Sequence, residues 1–129
     1  MRKLLVALCV LGFSFAANAA SVHATWTLPT TNTDGSTLVP ADLASTTVQY
    51  GTCNGAAFGT SLGAVNVLSP LAAADTPTLA PGVYCFRAFV TGVAAKGGNV
   101  SAFSNVATAT VPFPTPGAPT AVTVTLVLP

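Results

Sequence analysis

The chain reads as all-β, and three observations carry that reading. No stretch repeats its apolar residues at helical spacing. Thr, Val and Ala dominate, and Gly or Pro interrupts about every ten residues, the rhythm of short strands joined by turns. Several segments alternate apolar and polar side chains, as a strand with one buried face requires.

The N-terminal segment is the exception. Arg2 and Lys3 precede an apolar run from Leu4 to Phe15, and Ala17-Asn18-Ala19 is a small-x-small cleavage site. Residues 1–19 are therefore expected to be a secretory signal peptide, with Cys9 leaving as part of it. The run is about a dozen residues, short of the roughly 20 that a spanning helix needs. No later segment is long and apolar enough to span, so no transmembrane segment is expected after cleavage. The expected location is secreted, periplasmic or on the cell surface.

Residues 20–111 are expected to form one β domain. In Ser21 to Pro29, Val22, Ala24, Trp26 and Leu28 alternate with polar residues and face a core. Pro29 to Pro40 is a polar loop around Asn32-Thr33-Asp34-Gly35. A strand follows near Thr46 to Thr52, with Thr46, Val48 and Tyr50 on one face. Asn54-Gly55 is a turn signal. Leu62 to Leu68 and Thr76 to Leu79 read as short strands. In Tyr84 to Thr91, Tyr84, Phe86, Ala88 and Val90 share one face, and Cys85, Arg87 and Phe89 share the other. Gly92 to Gly98 is a small-residue loop, and Ser104 to Val111 is the next strand.

Hydrophobic residues make up 51% of the chain and charged ones 5%, a composition opposed to disorder. After cleavage, Arg87 and Lys96 stand against Asp34, Asp42 and Asp75, a net charge of −1. Such a chain has no electrostatic footprint for nucleic acid or anionic lipid. Near-zero net charge favours association. Catalysis needs a poised acid, base, nucleophile or metal. The single histidine, His23, lies on the outward face of a strand among threonines, and no nucleophile elbow is present. Asn32, Asp34 and Asp42 carry oxygens that calcium takes, but their spacing matches no calcium loop. No catalytic residue, metal site or cofactor is expected. Phe58, Phe89, Phe103 and Phe113 are not all accounted for by core alternation, and Phe89 shares a face with Arg87. An aromatic-plus-Arg patch suits an interface with a protein or a surface polymer.

Two cysteines remain after cleavage, Cys53 and Cys85. In an oxidising compartment an even pair reads as a disulfide, with buried free thiols as the alternative. The bridge would close about 33 residues, worth roughly 3–4 kcal/mol in the chain-entropy model.

Four motifs resemble the fibronectin type III family of β-sandwiches, in the manner of its microbial secreted or phage-associated members. Ser21-Val22-His23-Ala24-Thr25-Trp26-Thr27-Leu28-Pro29 is similar to that family's second strand. Leu79-Ala80-Pro81-Gly82-Val83-Tyr84 looks like the turn into its tyrosine corner, one residue shorter. Gly98-Asn99-Val100-Ser101-Ala102-Phe103-Ser104-Asn105 is similar to the segment before its last strand. Pro116-Gly117-Ala118-Pro119-Thr120-Ala121-Val122 looks like a linker opening a next domain. The resemblance implies an antiparallel sandwich whose first strand is missing at the N-terminus and which carries an extra strand at the C-terminus. It implies that the third and sixth strands are antiparallel neighbours, which brings Cys53 and Cys85 together on an exposed sheet face. It also implies a non-catalytic binding or structural module. The family's aromatic at the start of the third strand is replaced by Thr46, and the segment from Cys53 to Leu79 carries no family motif.

Residues 112–120 are a Pro-rich linker, stiff and extended. Residues 121–129 read as a strand resembling the family's first, with Val122, Val124, Leu126 and Leu128 on one face. Burying those four yields roughly 6–12 kcal/mol, and ordering about eight residues costs on the order of 1–2 kcal/mol each. The strand therefore needs a ladder and a groove. Three placements stand open: beside its own sandwich, on a second copy as in a self-assembling filament, or in a longer protein of which this is a truncated product.

Overall fold

The computed structural model describes residues 19–121 and 123–127. Within them six strands follow in order: β1 His23–Thr25, β2 Leu43–Asn54, β3 Ala57–Leu68, β4 Ala73–Asp75, β5 Gly82–Gly92 and β6 Ala107–Val111. All pairings are antiparallel. β1 and β4 form one sheet, and the other runs β3-β2-β5-β6. The chain is all-β, as expected.

The alternation read from the sequence determines which face is buried. Val48, Phe86, Val111 and Leu79 form the buried cluster. Val22, Ala24 and Trp26 from the first sheet pack on it, as do Tyr50, Tyr84, Ala88 and Ala109 from the second. Thr46 is also buried, at 2% exposure. The two sheets thus meet largely through the side chains that the period-2 pattern assigned to a core, joined by Leu79, Ala109 and Val111.

Several boundaries differ from expectation. β3 begins at Ala57, not Leu62, so β2 and β3 form one long hairpin. Its connection is Gly55-Ala56, with Gly55 at φ 62°, in the left-handed region where glycine costs least. The stretch Ala57 to Gly63 lacks an apolar rhythm of its own and is a strand because β2 pairs with it. Thr76–Leu79 is not a strand. The ladder with β1 lies at Ala73–Asp75, and Thr76 ends it by donating its N–H to Val22 O and accepting from Val22 N–H on its hydroxyl. Pro77 then has no N–H to donate, and one isolated bridge joins Leu79 to Ala20.

β6 begins at Ala107, not Ser104. Ahead of it, Ser101 and Ser104 replace a ladder with their hydroxyls. Ser101 Oγ accepts from Val90 N–H and Ser104 Oγ from Ala88 N–H, both at 3.0 Å. Their own amides donate back to Val90 O and Ala88 O. This is the physical role of the serines at 101 and 104 in the Gly98–Asn105 motif.

Among the described residues of 121–129 the expected strand is not formed. Ala121 and residues 123–127 join no ladder. Val124 and Leu126 are 92% and 81% exposed, because no edge of the described domain is paired with them. Val122 and Leu128 lie outside the described residues, as do residues 1–18 of the expected signal peptide. Among the described residues no helix is long and apolar enough to cross a membrane.

Candidate binding surfaces

The outer face of the four-stranded sheet carries Cys85, Arg87 and Phe89 from β5. Cys53 and Cys85 form a disulfide, with Cα atoms 5.2 Å apart. Gly51 is the ladder partner of Cys85, so Cys53 reaches it diagonally from two residues further along β2. The bridge was expected on an exposed face, and here the structure corrects the reading. Cys85 faces away from the core yet has no solvent exposure. Thr108 Oγ1 lies 3.7 Å from its sulfur, and Cys53 has Phe58 as its partner on β3.

Beside the bridge, Arg87 is held between two rings. Its guanidinium carbon lies 4.1 Å from the Phe58 centroid and 3.7 Å from that of Phe103. Its Nε donates to Gln49 Oε1 at 2.9 Å. Phe89 meets Phe103 edge to face, with centroids 5.6 Å apart. Cation–π contacts of this kind orient the guanidinium without neutralising it. Among the described residues the ion pairs are His23–Asp75 and Lys96–Asp42, and neither involves Arg87. Three of the four unassigned phenylalanines thus share one cluster with Arg87, Phe58 and Phe103 against the guanidinium and Phe89 against Phe103. Phe113 does not, being 76% exposed in the linker. The signal for Phe58 and Phe103 was their failure to fit core alternation. Their meeting on one guanidinium depends on the β2–β3 hairpin and the serine-held segment.

Gly51 makes room for that arrangement. A Cβ there would collide with Thr60 O and come within 2.9 Å of Phe58 Cζ. The absence of a side chain lets the Phe58 ring cross β2 toward Arg87.

A second surface lies between the two sheets along one side. It is an open cleft of about 810 Å³, lined on one wall by Val22, Ala24 and Trp26, and on the other by Phe86, Ala107 and Ala109. The hydrogen-bond parity of β1 explains why it is open. Val22 bonds Thr76, and Trp26 N–H donates to Ala72 O. Even-numbered residues of this strand therefore face β4, and the N–H and C=O groups of His23 and Thr25 point to the other edge. Among the described residues no strand pairs with that edge. Two polar atoms in the cleft walls, Trp26 Nε1 and Thr46 Oγ1, are buried without a hydrogen-bond partner.

At one end of the sheets, the polar loop and the segment after β5 bound a smaller cleft of about 460 Å³. Lys96 Nζ lies 3.6 Å from Asp42 Oδ1 at its rim. The loop itself is held by Asn32 and Asp34. Asp34 Oδ1 accepts from the Ser36 hydroxyl and the Ser36 amide, and these bonds hold its carboxyl below the usual range. His23 Nδ1 lies 2.7 Å from Asp75 Oδ1 as a cross-strand pair, with both side chains well exposed. That pair braces the β1–β4 ladder on its solvent face. Comparison with family models, with curated proteins and with solved structures finds no match for this chain.

Proposed function

We propose that the protein is an extracytoplasmic, non-catalytic binding or structural module of fibronectin type III kind, and that it works by accepting a β-strand. The observation that carries this is the apolar cleft beside the outer edge of β1, with which no strand pairs among the described residues. A peptide strand laid there would find backbone donors and acceptors on one side and an apolar floor beneath it, the two requirements of β-strand addition. An exposed edge of this kind is otherwise a liability for aggregation.

The family reading draws support from two details. Tyr84 Oη donates to Ala80 O at 2.8 Å, the bond of a tyrosine corner, in which the ring at the start of a strand ties back to the preceding turn. The two-stranded sheet packed on a four-stranded antiparallel one also suits that architecture. The disulfide fits an oxidising compartment.

Dye binding tests the reading. The domain ending at Gly117 should bind the apolar dye ANS and release it to a competing strand peptide. A domain that neither enhances the dye's fluorescence nor binds any strand peptide ends the proposal.

A second reading rests on the outer face. The Arg87 guanidinium between Phe58 and Phe103, with Phe89 alongside, offers aromatic edges and a fixed cation to a sugar or another surface polymer. Retention on polysaccharide that is lost in Phe89→Ala and Phe103→Ala would favour it. No retention of the wild type removes it.

A further inference from the structure

We propose that the strand accepted by the cleft is residues 120–128 of a second copy of this chain, so that copies join head to tail. The inference rests on the strand-accepting reading above and names its partner.

The donor is in the same sequence. From Pro112 to Ala121 every residue is exposed. Beyond it Val124, Leu126 and Val127 are 92%, 81% and 85% exposed. The segment has the alternation of a half-buried strand, yet its described residues join no ladder of the domain.

Chain direction argues for a second copy. Val111 at the end of β6 pairs with Gly82, and Ala20 bridges Leu79. The tail therefore leaves at the pole where the 20–27 segment begins. To return antiparallel to β1 in its own molecule, it must first cross that segment's length, about 23 Å at ~3.3 Å per residue. Residues 112–122, which precede the pairing, would have to cover that length and then turn back. Prolines at 112, 114 and 116 further oppose a tight turn back. A tail that continues outward meets the opposite pole of another copy, at Thr27, and runs toward Ala20 without reversing.

Side-chain and backbone parity then select a register. Leu126 faces inward opposite Ala24, the smallest inward residue of β1. Thr125 comes opposite Thr25, whose N–H and C=O point to the open edge. Val124 meets Trp26, and Leu128 meets Val22. The junction is heterologous, since tail and cleft are different surfaces, and repetition gives an open filament rather than a closed pair.

The test separates donor from acceptor in the full chain as secreted. Val124→Asp with Leu126→Asp disables the tail. Thr25→Pro removes an N–H at the open edge, where proline is tolerated in a strand. If Thr25→Pro loses its β circular dichroism, His23→Pro takes its place. Light scattering on the wild type should show mass rising with concentration to many subunits. Each variant alone should stay monomeric, and a 1:1 mixture should give dimers and nothing larger, because only one junction is competent. A monomeric wild type, variants that still polymerise, or a mixture that stays monomeric each overturns the proposal. Synthetic peptide 118–129 added to the domain ending at Gly117 distinguishes the two levels. Peptide binding with a monomeric wild type keeps the strand-accepting cleft and refutes the second copy as occupant. No binding and no assembly refute both.

Discussion

The Phe103 ring lies 3.7 Å from the Arg87 guanidinium carbon, although its segment belongs to no strand. What holds it there is the pair of serine hydroxyls on either side, bonded to the β5 amides of Val90 and Ala88. A polar substitute for a ladder thus positions an aromatic side chain on a face that the core does not use.

Removing that substitute should release the ring. Ser104→Ala leaves the Ala88 amide without its hydroxyl partner, a loss of about 1 kcal/mol. Phe103→Ala should cost a further 0.5–2 kcal/mol or so through the lost cation–π contact. Urea denaturation of both single variants and the double checks this. Because Ser104 acts by holding Phe103, the double should cost less than the two singles together.

Gly51→Ala should be among the most damaging single-methyl changes in the domain. The added Cβ meets Thr60 O, a backbone atom that has no rotamer to escape through, and the Phe58 ring. Overpacking of this kind costs about 1–3 kcal/mol. Thermal melting should show the loss, and the Phe58 ring resonances should shift.

Thr46→Val should stabilise the protein. Thr46 is 2% exposed and its hydroxyl has no partner. An unsatisfied buried hydroxyl carries a desolvation penalty of about 1–3 kcal/mol, which a methyl of the same shape does not. An unchanged or lower melting temperature would show that the hydroxyl is satisfied in solution.

Asp34 should titrate below an ordinary aspartate, because the Ser36 hydroxyl and then the Ser36 amide bond its ionised form. A depressed folded-state pKa contributes stability that is present above the unfolded value, near 3.8. That contribution is lost as pH falls through the folded pKa. Carbon-detected titration of Asp34 should place its midpoint below 3.8, with the Ser36 amide shift following the same curve. In Asp34→Asn that pH-dependent shift should vanish.

Much of the fold was legible in the chain. Alternation at Val22, Ala24 and Trp26, at Thr46, Val48 and Tyr50, and at Tyr84, Phe86 and Ala88 named the side chains that pack between the sheets. It did so because a strand's side-chain period is two whatever its partners. The Cys53–Cys85 pair was legible as the even pair left after cleavage, and the family resemblance implied that their strands are neighbours. The start of β3 was not. Ala57, Gly59 and Gly63 carry no strand pattern, and Gly63 is needed because a Cβ there would strike the Tyr50 hydroxyl.

By itself, then, the sequence determined the all-β class, the inward faces of β1, β2 and β5 and the strand-like alternation of the tail, since all three depend on local periodicity. Tertiary structure alone decided that Phe58 and Phe103 close on Arg87 and that Cys85 is buried on the face away from the core. Among the described residues, it alone left the outer edge of β1 open above an apolar cleft. Those outcomes depend on which strands become neighbours and in what register, and residues far apart in the chain acquire that relationship only when the ladders form.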